Sequence, residues 1–295
     1  MTSTSTRQTI SNTAAAIHKH LSEIPTLRKQ ASSRKRTFAQ DLALVALGLR
    51  CSYLLDCFSI THPSSVFTAL IQRLRQEEET GRLFDQVVHV FEPESDQSFF
   101  VQARLLKEKA RGESEKDGTQ LPAFVQLHRH DDPRIIDPPA DVLRVLDRLD
   151  SILRDSPHAS HPCSVSLPLY DVGTPQELSW TENSCQQIMV PLAAILLDYP
   201  FAYCLPEADG SSSSTLLSGV ELHVFDCWIT APSSKSDDRS RIMQSSCPTA
   251  LGIDCEVVKK DISSLLARRM GRLGGMQSYV ANVGWKTVKL DSAGL

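Results

Sequence analysis

No stretch of this chain is long and apolar enough for a membrane helix, which needs roughly 20 such residues in a row. The longest apolar run, VPLAAILL at 190–197, falls far short and contains Pro191. The N-terminus shows no apolar block of the secretory kind, because MTSTSTRQTISN opens on Ser and Thr. Paired cysteines are missing as well. The eight Cys, at 51, 57, 163, 185, 204, 227, 247 and 255, stand singly and without metal-type spacing. Reduced thiols in the cytoplasm or nucleus are therefore expected. There is no G-x-S-x-G elbow, no G-x-G-x-x-G turn and no P-loop, so nothing points to the usual acyl-transfer, dinucleotide or nucleotide sites. GRLGGMQ (271–277) follows a helix pattern, where its glycines serve as caps.

What is present is an ordinary globular composition. About 41% of the 295 residues are apolar, enough for a sizeable core. The formal charge of −4 is unevenly spread, since residues 1–37 carry seven Lys or Arg against one Glu. The remainder is correspondingly more acidic, which argues against general nucleic-acid binding. Residues 1–37 read as a flexible basic segment, with a modest amphipathic helix over about 12–23 ended by Pro25. Within it, RKQASSRKRTF (28–38) fits a nuclear-import or phosphorylation segment, a mitochondrial presequence, or simply a solvated helix face.

From Phe38 the pattern is that of a folded domain. FAQDLALVALGL reads as a helix and CSYLLDC (51–57) as a short buried strand. Pro63 opens a helix with Val66, Phe67, Leu70, Ile71 and Leu74 on one face, and Gly81 is the expected C-cap. DQVVHVF (85–91) and SFFVQARLL (98–106) read as a hairpin. A strong helix follows DPPA, and another runs through SCQQIMVPLAAILL, begun or kinked at Pro191. The C-terminal third holds strands near 199–205, 219–229 and 242, a helix over about 258–273 and a strand-like tail. Helices interleaved with partly hairpin-linked strands imply an α/β fold. The expectation is a single domain over 38–295, a mixed β-sheet flanked by helices, with mobile polar inserts near 107–120, 207–216 and 231–241.

The block LLDYPFAYCLPEADGSSSSTLLSGVELHVFDCWI (196–229) resembles a signature region of a family of uncharacterised eukaryotic open-reading-frame proteins, a domain of unknown function. The matching positions are Leu196, Leu197, Tyr199, Pro200, Tyr203, Leu222, Val224 and Phe225. CSYLLDC is similar to that family's early strand, whereas SSSSTLL replaces the family's polar loop step. The resemblance spans most of residues 38–290. It implies a single soluble intracellular α/β domain and carries no activity with it.

Three constellations carry candidate chemistry. His128, His130 and Asp132 fit H-x-H-x-D, the core of a metallo-hydrolase signature. Two His at i and i+2 on extended chain project from one side, so both imidazoles can reach one ion. Pro133 stands where that signature wants its next ligand, and the plainer reading is a strand-terminating loop. An Asp-Cys step recurs at 56–57, 226–227 and 254–255. Asp56 and Asp226 would form an acid–base pair if they met at neighbouring parallel strand ends; otherwise they are strand-end turns. Tyr199 and Tyr203, with Trp228, would line a binding groove or serve as core aromatics. The leading expectation is a binding or adaptor protein without catalytic activity, engaging a protein partner. The alternative is a metal-dependent hydrolase using His128, His130 and Asp132, and only that alternative calls for a cofactor, a divalent metal.

Overall fold

The computed structural model describes residues 6–111, 121–128, 132–154, 161–169, 182–206, 216–230, 239–273 and 279–290. It begins with α1 (Thr6–Glu23), α2 (Pro25–Arg28) and α3 (Ser32–Ala46). Ile17, Leu21 and Ile24 recur at helical spacing, and with Leu27 they are buried against Phe38 and Leu42 of α3. Residues 6–37 are therefore not the flexible basic arm expected of them. The apolar stripe finds a partner in α3, and even Lys35 is buried, its ammonium 3.4 Å from the Arg28 carbonyl.

A four-stranded sheet holds the centre. Its strands are β1 (Ser52–Leu54), β2 (Val87–Glu92), β3 (Gln97–Gln102) and β6 (Ser164–Ser166), in the order β1-β3-β2-β6. The β2/β3 hairpin is antiparallel, whereas β6 joins β2 in parallel with Ser164 opposite His89. Alternation along the hairpin splits its side chains between two cores. Val88, Val90, Phe99 and Val101 meet α5 (Ala103–Ala110), α6 (Ala140–Arg154) and α7 (Glu182–Leu196). Val87 and Phe100 face α1, α3 and α4 (Pro63–Arg75) on the other side. Burial on both faces explains why these strands read as nearly continuous apolar runs.

The other strands form two further sheets among the described residues. β4 (Ala123–Gln126) lies between β5 (Arg134–Ile136), antiparallel, and β7 (Phe201–Cys204), parallel. β8 (Glu221–Thr230) lies between β9 (Arg239–Pro248) and β10 (Val280–Lys289), both antiparallel, with α8 (Cys255–Gly271) packed against this sheet. The α/β class with flanking helices stands, but the strands divide among three sheets instead of one. Helix α7 runs through Pro191 without starting there. Gly81 caps no helix: α4 ends at Arg75, and Gly81 opens a 3-10 turn over Gly81–Phe84. A Cβ at Gly81 would lie 2.4 Å from the Arg75 carbonyl oxygen, so the close approach requires glycine.

One buried ion node ties distant elements together. Asp198, in a left-handed turn (φ 64°) between α7 and β7, accepts hydrogen bonds from Arg269 on α8 at 2.6 and 2.8 Å. Lys109 on α5 lies 2.6 Å from the same carboxylate, and the Cys51 amide donates to it at 2.8 Å. Burial opposes the charge on Asp198, but the Arg269 guanidinium and Lys109 ammonium outweigh it and hold the carboxyl well below the usual range. Lys109 falls within the expected insert near 107–120, whose first residues are instead the last turn of α5. Residues 112–120, 207–215 and 231–238 of the expected inserts lie outside the described residues.

Candidate functional site

The H-x-H-x-D run lies between β4 and β5, which pair antiparallel with Gln126 opposite Arg134. His128 is half-buried just after β4 and Asp132 is exposed just before β5, while His130 lies outside the described residues. Among the described residues, no three or more His, Cys, Asp or Glu side chains are placed to hold one ion. The Asp pair is not brought together. Asp56 follows β1 in the central sheet and accepts from the Tyr53 hydroxyl at 3.3 Å. Asp226 sits mid-strand on antiparallel β8, accepting from Gln244 at 2.8 Å. Asp254, from the third Asp-Cys step, is the N-cap of α8, accepting from the Glu256 amide at 2.9 Å.

Of the aromatic trio, Tyr199 and Tyr203 pack against the same core. Tyr199 is half-buried between two cores. Burial pushes the Tyr203 phenol up to about 12, and its hydroxyl meets Ser246 of β9 at 3.1 Å. Trp228 lies against Gly284, where a Cβ would come within 3.1 Å of the indole, with the Arg239 guanidinium 5.1 Å from its ring centre. Its ladder partner, Arg241, is five residues from Ser246 along β9, roughly 17 Å of extended chain. Tyr203 and Trp228 thus meet β9 at opposite ends of this stretch. Burial also pushes the thiols of Cys51, Cys227 and Cys247 up to about 12, far from the thiolate a nucleophile requires.

A different site emerges where α4 passes β6. A groove of about 510 Å³ is lined by Ser64, Ser65, Thr68, Ala69 and Gln72 of α4 and by Ser164–Ser166 of β6. Helix α4 is amphipathic: its apolar stripe is buried, and its small polar residues make one wall of the groove. The opposite wall is the edge of the central sheet among the described residues. The His89 N–H donates to the Cys163 carbonyl at 3.0 Å, and the Leu167 N–H donates to the Phe91 carbonyl at 2.9 Å. In a parallel ladder the bonding residues alternate, so the backbone groups of Ser164 and Ser166 point away from β2, to a side where no strand pairs with them among the described residues. Pro162 and Pro168 flank the strand, and lacking N–H donors they confine the open edge to these few residues.

Two side chains hold this edge in position. The Arg75 guanidinium, from the end of α4, donates to the His161 carbonyl at 2.6 Å and the Val87 carbonyl at 3.1 Å, and reaches the Cys163 sulfur at 3.3 Å. His89 is fully buried against the Phe67 and Phe100 rings, with Nδ1 at 2.8 Å from the Ser164 hydroxyl and Nε2 at 3.1 Å from the Ser98 hydroxyl. The spacing is that of a nucleophile and its base. Burial alone pushes the imidazole down to about 3, however, and a hydroxyl stands where a triad has its carboxylate. Against an ordinary imidazole, that depression makes proton removal from Ser164 harder by about 5 kcal/mol. The arrangement suits hydrogen bonding to a bound group better than acyl transfer.

Sequence reasoning passed over this site because HPCSVSLPLY is short and Pro-punctuated and reads as irregular chain. The available signals were the alternation in CSVS and the small polar face of α4 opposite its apolar stripe. Comparison with known proteins adds one match. Residues 21–274 match the family described as "Domain of unknown function (DUF4504)". No curated protein and no solved structure matches the chain.

Proposed function

This chain belongs to the DUF4504 family, and from that premise we propose that it is a binding protein that takes an extended segment of a partner protein as an added strand on β6. The observation that carries the reading is the backbone edge of Ser164 and Ser166 beside α4, which no strand pairs among the described residues. Strand addition uses such an edge for affinity, with an adjacent wall to sort side chains. From Ser64 to Gln72 along the helix, the wall runs roughly 12 Å at 1.5 Å per residue. That length matches about three to four extended residues. The depressed basicity of His89 and the raised thiols favour binding over covalent chemistry. All eight cysteines are unpaired, which suits a reducing compartment such as the cytoplasm or nucleus. The burial of Ile17 and Leu21 in the core favours a retained N-terminus over a cleaved presequence.

The test is a random-peptide display selection on the full chain, followed by N-methyl scanning of a selected peptide. Added-strand binding predicts that N-methylation weakens binding at alternate residues. It also predicts that Ser166→Pro, which removes an outward donor and spares the β2 ladder, lowers affinity by about tenfold, the equivalent of one or two backbone bonds. Binding indifferent to N-methylation and to Ser166→Pro would refute the reading, as would a selection that yields no binder.

A further inference from the structure

The lining of the groove has a chemical bias that bears on what fits it. None of its eight residues is charged, and six carry a hydroxyl or amide: Ser64, Ser65, Thr68, Gln72, Ser164 and Ser166. Hydroxyls and amides both donate and accept, so they pair with groups of their own kind. A charged side chain entering between α4 and β6 would give up part of its water to a lining that offers no counter-charge. Arg75, one turn beyond Gln72, is already engaged by the Phe84, Val87 and His161 carbonyls, and offers none. A large aliphatic side chain would cover Thr68 and Gln72 and offer them no partner, whereas the Ser65 and Ser164 hydroxyls are already engaged by the His62 carbonyl and His89. Ser164 is set in place from beneath by His89, whose other nitrogen is occupied by Ser98. Val165 faces the opposite core and adds only backbone.

Resting on the added-strand reading above, we infer that the groove selects an uncharged polar segment, with Ser, Thr, Asn or Gln at the residues that face α4. The ligand class is thus a neutral, hydroxyl- or amide-bearing extended peptide. Side chains on the other face of the same strand turn to the side of the sheet where Val165 meets the apolar core, and the hydroxyl and amide lining makes no demand on them.

The experiment takes a selected peptide and substitutes one α4-facing and one outward position, each with Asn, Thr, Lys, Asp and Leu, measuring affinity by fluorescence polarisation. At the α4-facing position, Lys, Asp and Leu should each weaken binding by about tenfold or more relative to Asn or Thr, the loss expected for a desolvated polar group left unpaired. At the outward position, on the Val165 side of the sheet, the penalty for Leu should be absent, because apolar residues lie on that side. Thr68→Lys on the protein should recover the Asp peptide selectively, because it supplies the missing counter-charge. Equal tolerance of Lys, Asp and Leu at the α4-facing position, or a selected consensus that is charged or aliphatic there, overturns the inference. If N-methyl sensitivity still alternates in that case, the added-strand reading survives and only the ligand class fails. Loss of that alternation defeats both.

Discussion

Lowering the pH should expose the burial of His89 as a loss of stability well before the carboxylates titrate. The imidazole is fully buried between Phe67 and Phe100, and burial pushes it down to about 3. In the unfolded chain it titrates near 6.5. A depressed folded value means that the unfolded state takes up the proton first. The stabilisation is therefore present in full above about pH 6.5 and declines as the pH falls towards about 3. Each pH unit inside that window corresponds to about 1.4 kcal/mol, so going from pH 7 to pH 5 should remove about 2 kcal/mol. Urea unfolding at the two pH values measures the loss. His89→Gln keeps an amide within reach of the two serines but does not titrate, so the variant should lack this share of the pH dependence. Equal losses in the two proteins would refute the argument and show that His89 is solvated or protonated in the fold.

Two further predictions concern stability. Asp198→Ala leaves Lys109 and Arg269 facing each other in the interior, with side chains only 5% and 3% exposed, and should destabilise the fold by about 3–5 kcal/mol. A change below about 1 kcal/mol in chemical denaturation would mean that the node is wet. Gly81→Ala places a Cβ 2.4 Å from the Arg75 carbonyl oxygen and should lower stability by about 1–3 kcal/mol, while an unchanged melting temperature would refute the close approach.

Much of the architecture was legible because it rests on local patterns. The apolar stripe of α4, the strong period of α6 and the β2/β3 hairpin announce themselves within a few turns or one connector. The basic character of residues 28–36 misled because charge says nothing about the apolar residues on either side of it, Ile17 and Leu21 of α1 and Phe38 of α3, which find the core. The residues singled out for chemistry were chosen by type and spacing. His128 and Asp132 end up at the two ends of the β4–β5 connection, Asp56 and Asp226 on different sheets, and Tyr203 and Trp228 far apart. Lys109 shows the converse error, since a charged run reads as a solvated insert although one of its ammonium groups meets a buried carboxylate.

By itself, then, the amino-acid sequence determined the α/β class, most of the helices and strands, and the family signature around Tyr199 and Pro200. Periodicity of side chains along the backbone is enough for the class and the elements, whereas the family rested on the resemblance. Only the tertiary structure decided that β6 lies beside β2, that α4 turns its small polar face to that edge, and that Asp198 meets both Lys109 and Arg269, the latter across 71 residues of chain. Such meetings follow from which surfaces are buried together, and burial belongs to a residue's neighbours in space.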